Sequence, residues 1–343
     1  MKNEIEKKYE SFLNFPEEQS IYVEVPIKFD ISNLEHTGEE EIFQFVKEIY
    51  HGRIVRHYNE LYDRKDIVDL YFPDIGFAID FHSLECFSEN ALRKRGISNP
   101  SHYLLNKWLI AKSRNVRLIQ IFSDEWLFRK DICKKILKNV LKPTSKPIPA
   151  RKCFVSIVEP SEARKFYNRH HLQDFAPAIV HLGLYHGDEI IHDLVSVASF
   201  SKSRLGIGSK PAKDNNIWEL TRYAIKGDVR VIGGFEKILK NFIKMNFPNS
   251  IYTFIDNRWF TGESLERSNF VKEYDYYGPG YWYTKDFYTR KHRFSFRKDL
   301  LIRRYGHLID NIESWSEKMI TGELGFSKIY DCGHSKWWYF VNS

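Results

Sequence analysis

Apolar residues recur along this chain at two spacings, and the switches between them mark out most of its elements. Ile42, Phe45, Val46 and Ile49 fall on one face of a helix over residues 39–50. Asp66 to Phe72 and Ile75 to Phe81 read as two strands joined by a turn at Pro73 and Asp74. A helix over 102–114 carries Leu104, Leu105, Trp108 and Leu109. Val116 to Phe122 is apolar enough to be a central strand, and Ile132, Ile136, Leu137, Val140 and Leu141 give a closing amphipathic helix. This αββαβα order predicts a small mixed sheet flanked by helices, the front half of an α/β protein.

The second half begins with a helix near 161–170, followed by strands from Ile179 to Tyr185 and Leu194 to Phe200 around a turn at His186 to Asp188. Trp218 to Tyr223 follows. Gly233 and Gly234 then open a helix with Phe235, Ile238, Leu239, Phe242 and Ile243 on one face and lysines on the other. Ile251 to Asp256 returns as a strand. Between the halves, Lys142 to Arg151 holds three prolines in ten residues, which suits neither a helix nor a central strand. The expected organisation is an N-terminal extension (1–37), a first domain (38–141), a linker (142–151), a second domain (152–284) and a basic, aromatic tail (285–343).

Composition narrows the partners. The 343 residues carry a formal charge of +7 with 16% aromatics, a balance that favours polyanions, because neutralised phosphates release counterions. No apolar run approaches the length a bilayer needs, so no membrane is expected. The opening residues, MKNEIEKKYESF, are too polar for a signal peptide or an anchor. Cys86, Cys133, Cys153 and Cys332 lack paired spacing, which argues for a reducing cytoplasm and against a zinc ribbon or a disulfide framework.

The carboxylates are the first candidate chemistry. Asp69 and Asp80 lie on the two hairpin strands, and Glu39 or Glu41 on the first helix could join them. Phosphodiester hydrolysis near neutral pH uses a divalent cation held by a few such acids, with a histidine as base. Strand acids are more often simply solvated, so the pattern alone is a weak signal.

Gly38 to Leu141 resembles the EDxHD nuclease family of phage homing endonucleases, relatives of very-short-patch-repair nucleases. The matching residues are Gly38, Glu39, Glu41, Ile42, Phe45 and Val46; Asp69 to Pro73; Phe77 to Phe81; His102 to Lys107; and Arg117 to Trp126. The resemblance implies a restriction-endonuclease-like mixed sheet of the PD-(D/E)xK and very-short-patch-repair type. It implies catalytic roles for Glu39 and Asp69, with Asp80 as a further metal ligand for Mg2+ or Mn2+. Glu39 is preferred to Glu41 because Ile42, Phe45 and Val46 then fall at the family's offsets. The family's base is a histidine after the second strand, and this chain has Phe87 there. His82 or His102 would substitute, or the nuclease is impaired; either histidine is equally readable as a surface residue.

Lys152 to Trp282 resembles the GNAT acetyltransferase fold, an α/β domain whose phosphate-binding loop would here be Arg230, Gly233 and Gly234. Phe235 in place of the loop's last small residue counts against acetyl-CoA, and a glycine pair before a helix is more often only a tight turn. Beyond it, Lys285, Arg290, Lys291, Arg293, Arg297, Lys298, Arg303 and Arg304 interleave with Phe287, Tyr288, Phe294 and Phe296. Those cations, with Lys107, read as contacts to double-stranded DNA, against the alternative of a solvated helix face. Three functions therefore stand: a homing-type endonuclease acting in a phage's host cytoplasm, an acyltransferase on DNA or protein, and a DNA-binding protein descended from a nuclease. A single nuclease site would need a homodimer or successive nicks to break both strands.

Overall fold

Phe77–His82 are buried without exception, and a strand dry on both faces belongs inside a sheet covered on both sides. The computed structural model describes residues 34–142, 147–188, 190–203, 216–227, 229–275 and 278–341, and it places this strand so. The expected N-terminal extension up to residue 33, and residues 143–146 of the proline-rich segment, lie outside the described residues.

The front half runs α1 (Leu34–Ile49), β1 (Val55–Tyr58), β2 (Val68–Phe72), β3 (Phe77–His82), α2 (Glu89–Lys94), α3 (Tyr103–Ser113), β4 (Arg117–Phe122) and α4 (Ser123–Leu141). The sheet order is β1-β2-β3-β4. The first three strands are antiparallel, and β4 lies parallel to β3 from Phe77↔Arg117 to His82↔Phe122. The element order is the expected one, with β1 and α2 added. Ile42 and Val46 of α1 and Trp126, Cys133 and Leu137 of α4 close one apolar layer with Leu70, Ile79 and Ile119. Ala111 of α3 packs into a second layer with Val68, Ala78 and Leu118.

The second half begins with β5 (Ile148–Pro149), β6 (Cys153–Ile157), α5 (Pro160–His170), β7 (Val180–Gly187), β8 (His192–Lys202), β9 (Ile217–Ile225) and β10 (Val231–Ile232). It continues with α6 (Gly234–Asn246), β11 (Ser250–Asp256), α7 (Glu263–Arg267), β12 (Val271–Tyr274), β13 (Tyr281–Thr284) and β14 (Lys291–His292). It closes with α8 (Lys298–Tyr305), α9 (Glu317–Glu323), β15 (Ser327–Tyr330) and β16 (His334–Phe340). Seven strands form one sheet in the order β12-β16-β11-β9-β8-β7-β6. Its neighbours are antiparallel except β9 and β11, whose parallel ladder holds only from Ser250↔Ile217 to Tyr252↔Glu219. Opposite Ser199 and Phe200, β9 carries Thr221 as an extra residue, since Ser199 pairs with Arg222 and Phe200 with Leu220.

Residues 285–343 are not a tail. Strand β16 inserts between β11 and β12, and β14-β13-β15 make a three-stranded sheet. Tyr283, Phe296, Leu301, Ile312 and Ile320 give that last region its own apolar cluster.

The rear half reaches into the front core. Trp259, just past β11, is 1% exposed and packs with the α1 and α4 residues of the front layer. Its neighbour Arg258 presents a carbonyl to the Gln120 N–H at 3.2 Å, extending the free edge of β4. The Arg258 guanidinium grips Glu125 through two bonds of 2.9 and 2.8 Å and Asp256 at 2.7 Å. Arg290 pairs with Asp124 and Glu125, each at 2.9 Å. Both guanidinium groups lie over the Phe122 ring. Burial alone would raise the Glu125 carboxyl, yet Arg258 and Arg290 hold it down to about 2. Among the described residues no helix is long and apolar enough to cross a membrane.

Truncating Trp259 opens a cavity inside the front half, although the residue belongs to the second. Trp259→Ala is expected to cost about 3–5 kcal/mol, read by urea denaturation as an earlier midpoint for the whole chain. An unchanged midpoint would mean that the front core does not depend on this residue.

Candidate active site

Strand pairing brings the two strand acids together. Leu70↔Ile79 is the last register pair recorded between β2 and β3 on this side, and the next residues outward are Asp69 and Asp80. Here side chains take over from the ladder. The Asp69 N–H donates to Asp80 Oδ1 at 3.2 Å, and the Phe81 N–H donates to Asp69 Oδ2 at 2.6 Å. Asp80 is 1% exposed. Lys107, on α3, reaches Asp80 Oδ2 at 2.7 Å and the Ile67 carbonyl at 2.9 Å. Asp66 lies 3.8 Å from the same ammonium and accepts a bond from the Tyr103 hydroxyl. The Tyr62 ring covers Lys107 at 5.0 Å.

Burial, and then the charge of Asp80, hold the Asp69 carboxyl well above the usual carboxylate range. Burial raises Asp80 as well, against the opposing pull of Lys107. Lys107 keeps its proton firmly: burial works against the ammonium, but Asp80 and Asp66 outweigh it.

Glu39 joins this region from another side. Its Oε1 accepts bonds of 2.9 Å from Arg56 Nη2 and from His57 Nε2. Glu41 is turned away, bonded to the Trp126 indole at 2.8 Å and to Lys130 at 2.6 Å. Glu39 is thus bonded to Arg56 and His57, while its charge also acts on Asp69. Among the described residues no group of three or more His, Cys, Asp or Glu is placed to hold a metal ion. The chemistry of the pair still fits Mg2+, which commonly takes one or two protein carboxylates and fills its remaining positions with water and substrate phosphate. Two buried acids side by side, one made harder to ionise by the charge of the other, are also a suitable place for a cation.

His57 is the residue that the sequence did not single out. It lies on β1 between the register pairs Arg56↔Leu70 and Tyr58↔Val68, at the position opposite Asp69 in sequence register, and its ring bonds Glu39. Its ring is 52% exposed and its φ is +49°, a backbone state that few histidines adopt. Neither histidine expected from the sequence is comparable. His82 is 1% exposed, lies 4.1 Å from the Phe87 ring, and has no hydrogen-bond partner for either nitrogen among the described residues. Burial, reinforced by Lys107 and Arg258, keeps it neutral. Phe87, at the position of the expected histidine, is thus a packing partner of His82. His102 is exposed and bonded through Nδ1 to neighbouring Ser101 at 2.9 Å.

The expected DNA contacts divide. Lys107 is buried at the carboxylates, and the Arg290 guanidinium is buried against Asp124 and Glu125, so both differ from the expectation of surface cations. Lys291, Arg297 and Lys298 are exposed, and Arg293 lies half-buried over Tyr281 and Phe294. At the glycine pair, Gly233 has φ +73° and caps α6, while a Cβ on Gly234 would come within 2.8 Å of Val231 Cγ1. The turn and the packing account for both glycines. Phe235 turns inward onto Tyr223 and Phe270, so it does not crowd the loop as expected. Arg230 is exposed and its carbonyl accepts from Ile148.

No family model matches the chain, and no curated protein matches it in sequence.

The raised Asp69 carboxyl has a consequence for stability. A carboxyl whose folded value lies above its unfolded value near 3.9 favours the fold while protonated. That contribution is lost as pH rises through the folded value. Asp69→Asn is therefore expected to be more stable than wild type at neutral pH in EDTA. The gain should vanish below the ordinary aspartate range. Urea midpoints across pH measure it; a variant less stable at neutral pH than in acid, relative to wild type, would contradict the sign.

Proposed function

We propose that the chain is a metal-dependent, site-specific endonuclease of double-stranded DNA, of the homing type, acting in the cytoplasm of a phage's host. The observation that carries this reading is the opposed pair Asp69 and Asp80 on neighbouring strands, with the Lys107 ammonium beside them and His57 exposed across the sheet edge. The order of α1, β1 to β3, α3 and β4, with β4 parallel to β3, supports a restriction-endonuclease-like domain.

Asp69 and Asp80 would hold Mg2+ or Mn2+, which supplies charge screening at the phosphate and a more acidic bound water. Lys107 offsets the negative charge that the acids and a phosphate bring to one place. Glu39, as a carboxylate, can only accept, so its bond fixes the hydrogen on His57 Nε2 and leaves Nδ1 as the free acceptor. That nitrogen can take a proton from an attacking water, while Arg56 holds Glu39 in place. His57 thereby fills the role that Phe87 leaves vacant.

A second reading, acyl transfer by the rear half, draws on the mixed seven-stranded sheet and the helix α6 that opens after Gly233. The structural account of Gly233 and Gly234 weakens it as a catalyst, and fold alone does not confer function. Saturable binding of acetyl-CoA would restore it.

The direct experiment incubates source DNA with the chain and Mg2+ or Mn2+. Discrete cuts are expected from wild type and none from Asp69→Asn or Asp80→Asn. His57→Ala should lose roughly 10²- to 10⁴-fold in rate while keeping DNA affinity, and His102→Ala should cut normally. Equal cutting by wild type and the aspartate variants would refute the site.

A further inference from the structure

We propose that the turn from Asn59 to Lys65 is a phosphate clamp, holding the backbone of duplex DNA beside the carboxylates through Arg64 and Lys65; this rests on the nuclease reading. The turn leaves β1 immediately after His57 and Tyr58 and runs directly into Asp66. Its inner side is anchored at the site. The one-turn helix Glu60–Tyr62 buries Leu61 and Tyr62, and the Tyr62 ring lies 5.0 Å from Lys107 Nζ. Two backbone bonds close the turn, from the Arg64 N–H to the Asn59 carbonyl at 2.9 Å and from the Lys65 N–H to the Tyr62 carbonyl at 3.1 Å.

Its outer side is built differently. Asp63 and Arg64 stand at φ +54° and +63°, a conformation in which glycine would be relaxed and an arginine is strained. The Asp63 charge is taken up by Arg114 at 2.6 Å, whose other nitrogen bonds the Glu60 carbonyl at 2.7 Å. Arg64 and Lys65 are exposed; the Lys65 charge acts weakly on Asp63, whose main partner is Arg114. The next residue, Asp66, is itself bonded to Tyr103 and lies 3.8 Å from Lys107. Two exposed cations therefore sit within two residues of the carboxylate cluster. A guanidinium can take a phosphate through two parallel bonds, and an ammonium adds a point charge. Lys107 and Arg290 are buried against acids and do not reach outward to a backbone phosphate beyond the site.

The test uses the full chain carrying Asp69→Asn, so that DNA is bound without being cut, and a fluorescein-labelled duplex of mixed sequence. Affinity is measured by anisotropy over a range of salt. Adding Arg64→Gly and Lys65→Ala should weaken binding on every duplex and reduce the log–log salt slope by about 2, near 0.9 for each phosphate that the protein no longer neutralises. Glycine suits the left-handed backbone at position 64, so weaker binding by this variant cannot be ascribed to misfolding. An unchanged slope and affinity, with wild type still cutting DNA, would overturn the clamp and leave the nuclease reading standing. A parent chain that binds no duplex, with a wild type that cuts none, would overturn both.

Discussion

Two aspartates on neighbouring strands, Asp69 and Asp80, are buried side by side where the charge of Asp80 makes Asp69 harder to ionise, and one buried ammonium stands against them. The front half is arranged around that conflict. Strand β3 is dry on both faces, so Asp80 is buried by the same packing that makes the sheet. Helix α3 brings Lys107 over it, and Tyr62, Asp66 and Tyr103 close around the ammonium. Removing the ammonium would leave buried carboxylates uncompensated, which costs far more than the intact group contributes. The arrangement therefore makes poor sense as a source of stability and good sense as a place for a cation and a phosphate.

A second buried charge group holds the molecule together. Arg258 and Arg290 come from the rear half, and both close on Glu125 at the start of α4, across Phe122 at the end of β4. Phe122 pairs in register with His82, two residues from Asp80. The rear half thus packs against the end of the strands that carry the site, and Trp259 completes the apolar layer beneath α1 and α4. The halves differ in sequence character, and each keeps apolar clusters of its own, with Trp259 of the rear half buried in a front one.

Strands β2, β3 and β4 were legible because strong local patterns and a proline turn announced them. Strand β1 was not: it has four residues, two of them basic, at a half-exposed edge, and nothing periodic marks such a strand. His57 was missed with it, since only the pairing with β2 brings it opposite Asp69. Lys107 and Arg290 read from the sequence as DNA contacts, yet both are buried, as basic residues seldom are. Their burial depends on acids far away in sequence, which no local window contains. The final strand was hidden for the same reason, its partners β11 and β12 being set by topology rather than by pattern. The glycine pair shows the opposite error, a motif with a ligand-binding reading that a left-handed cap and tight packing explain.

The central claim is that Asp69 and Asp80 form a cation site. Electron paramagnetic resonance of Mn2+ titrated into the protein, without DNA, tests it most directly. The account predicts a bound-Mn2+ signal for wild type that is lost in Asp69→Asn and in Asp80→Asn and kept in His102→Ala. A bound signal that survives both aspartate substitutions, or none in the wild type, would contradict it.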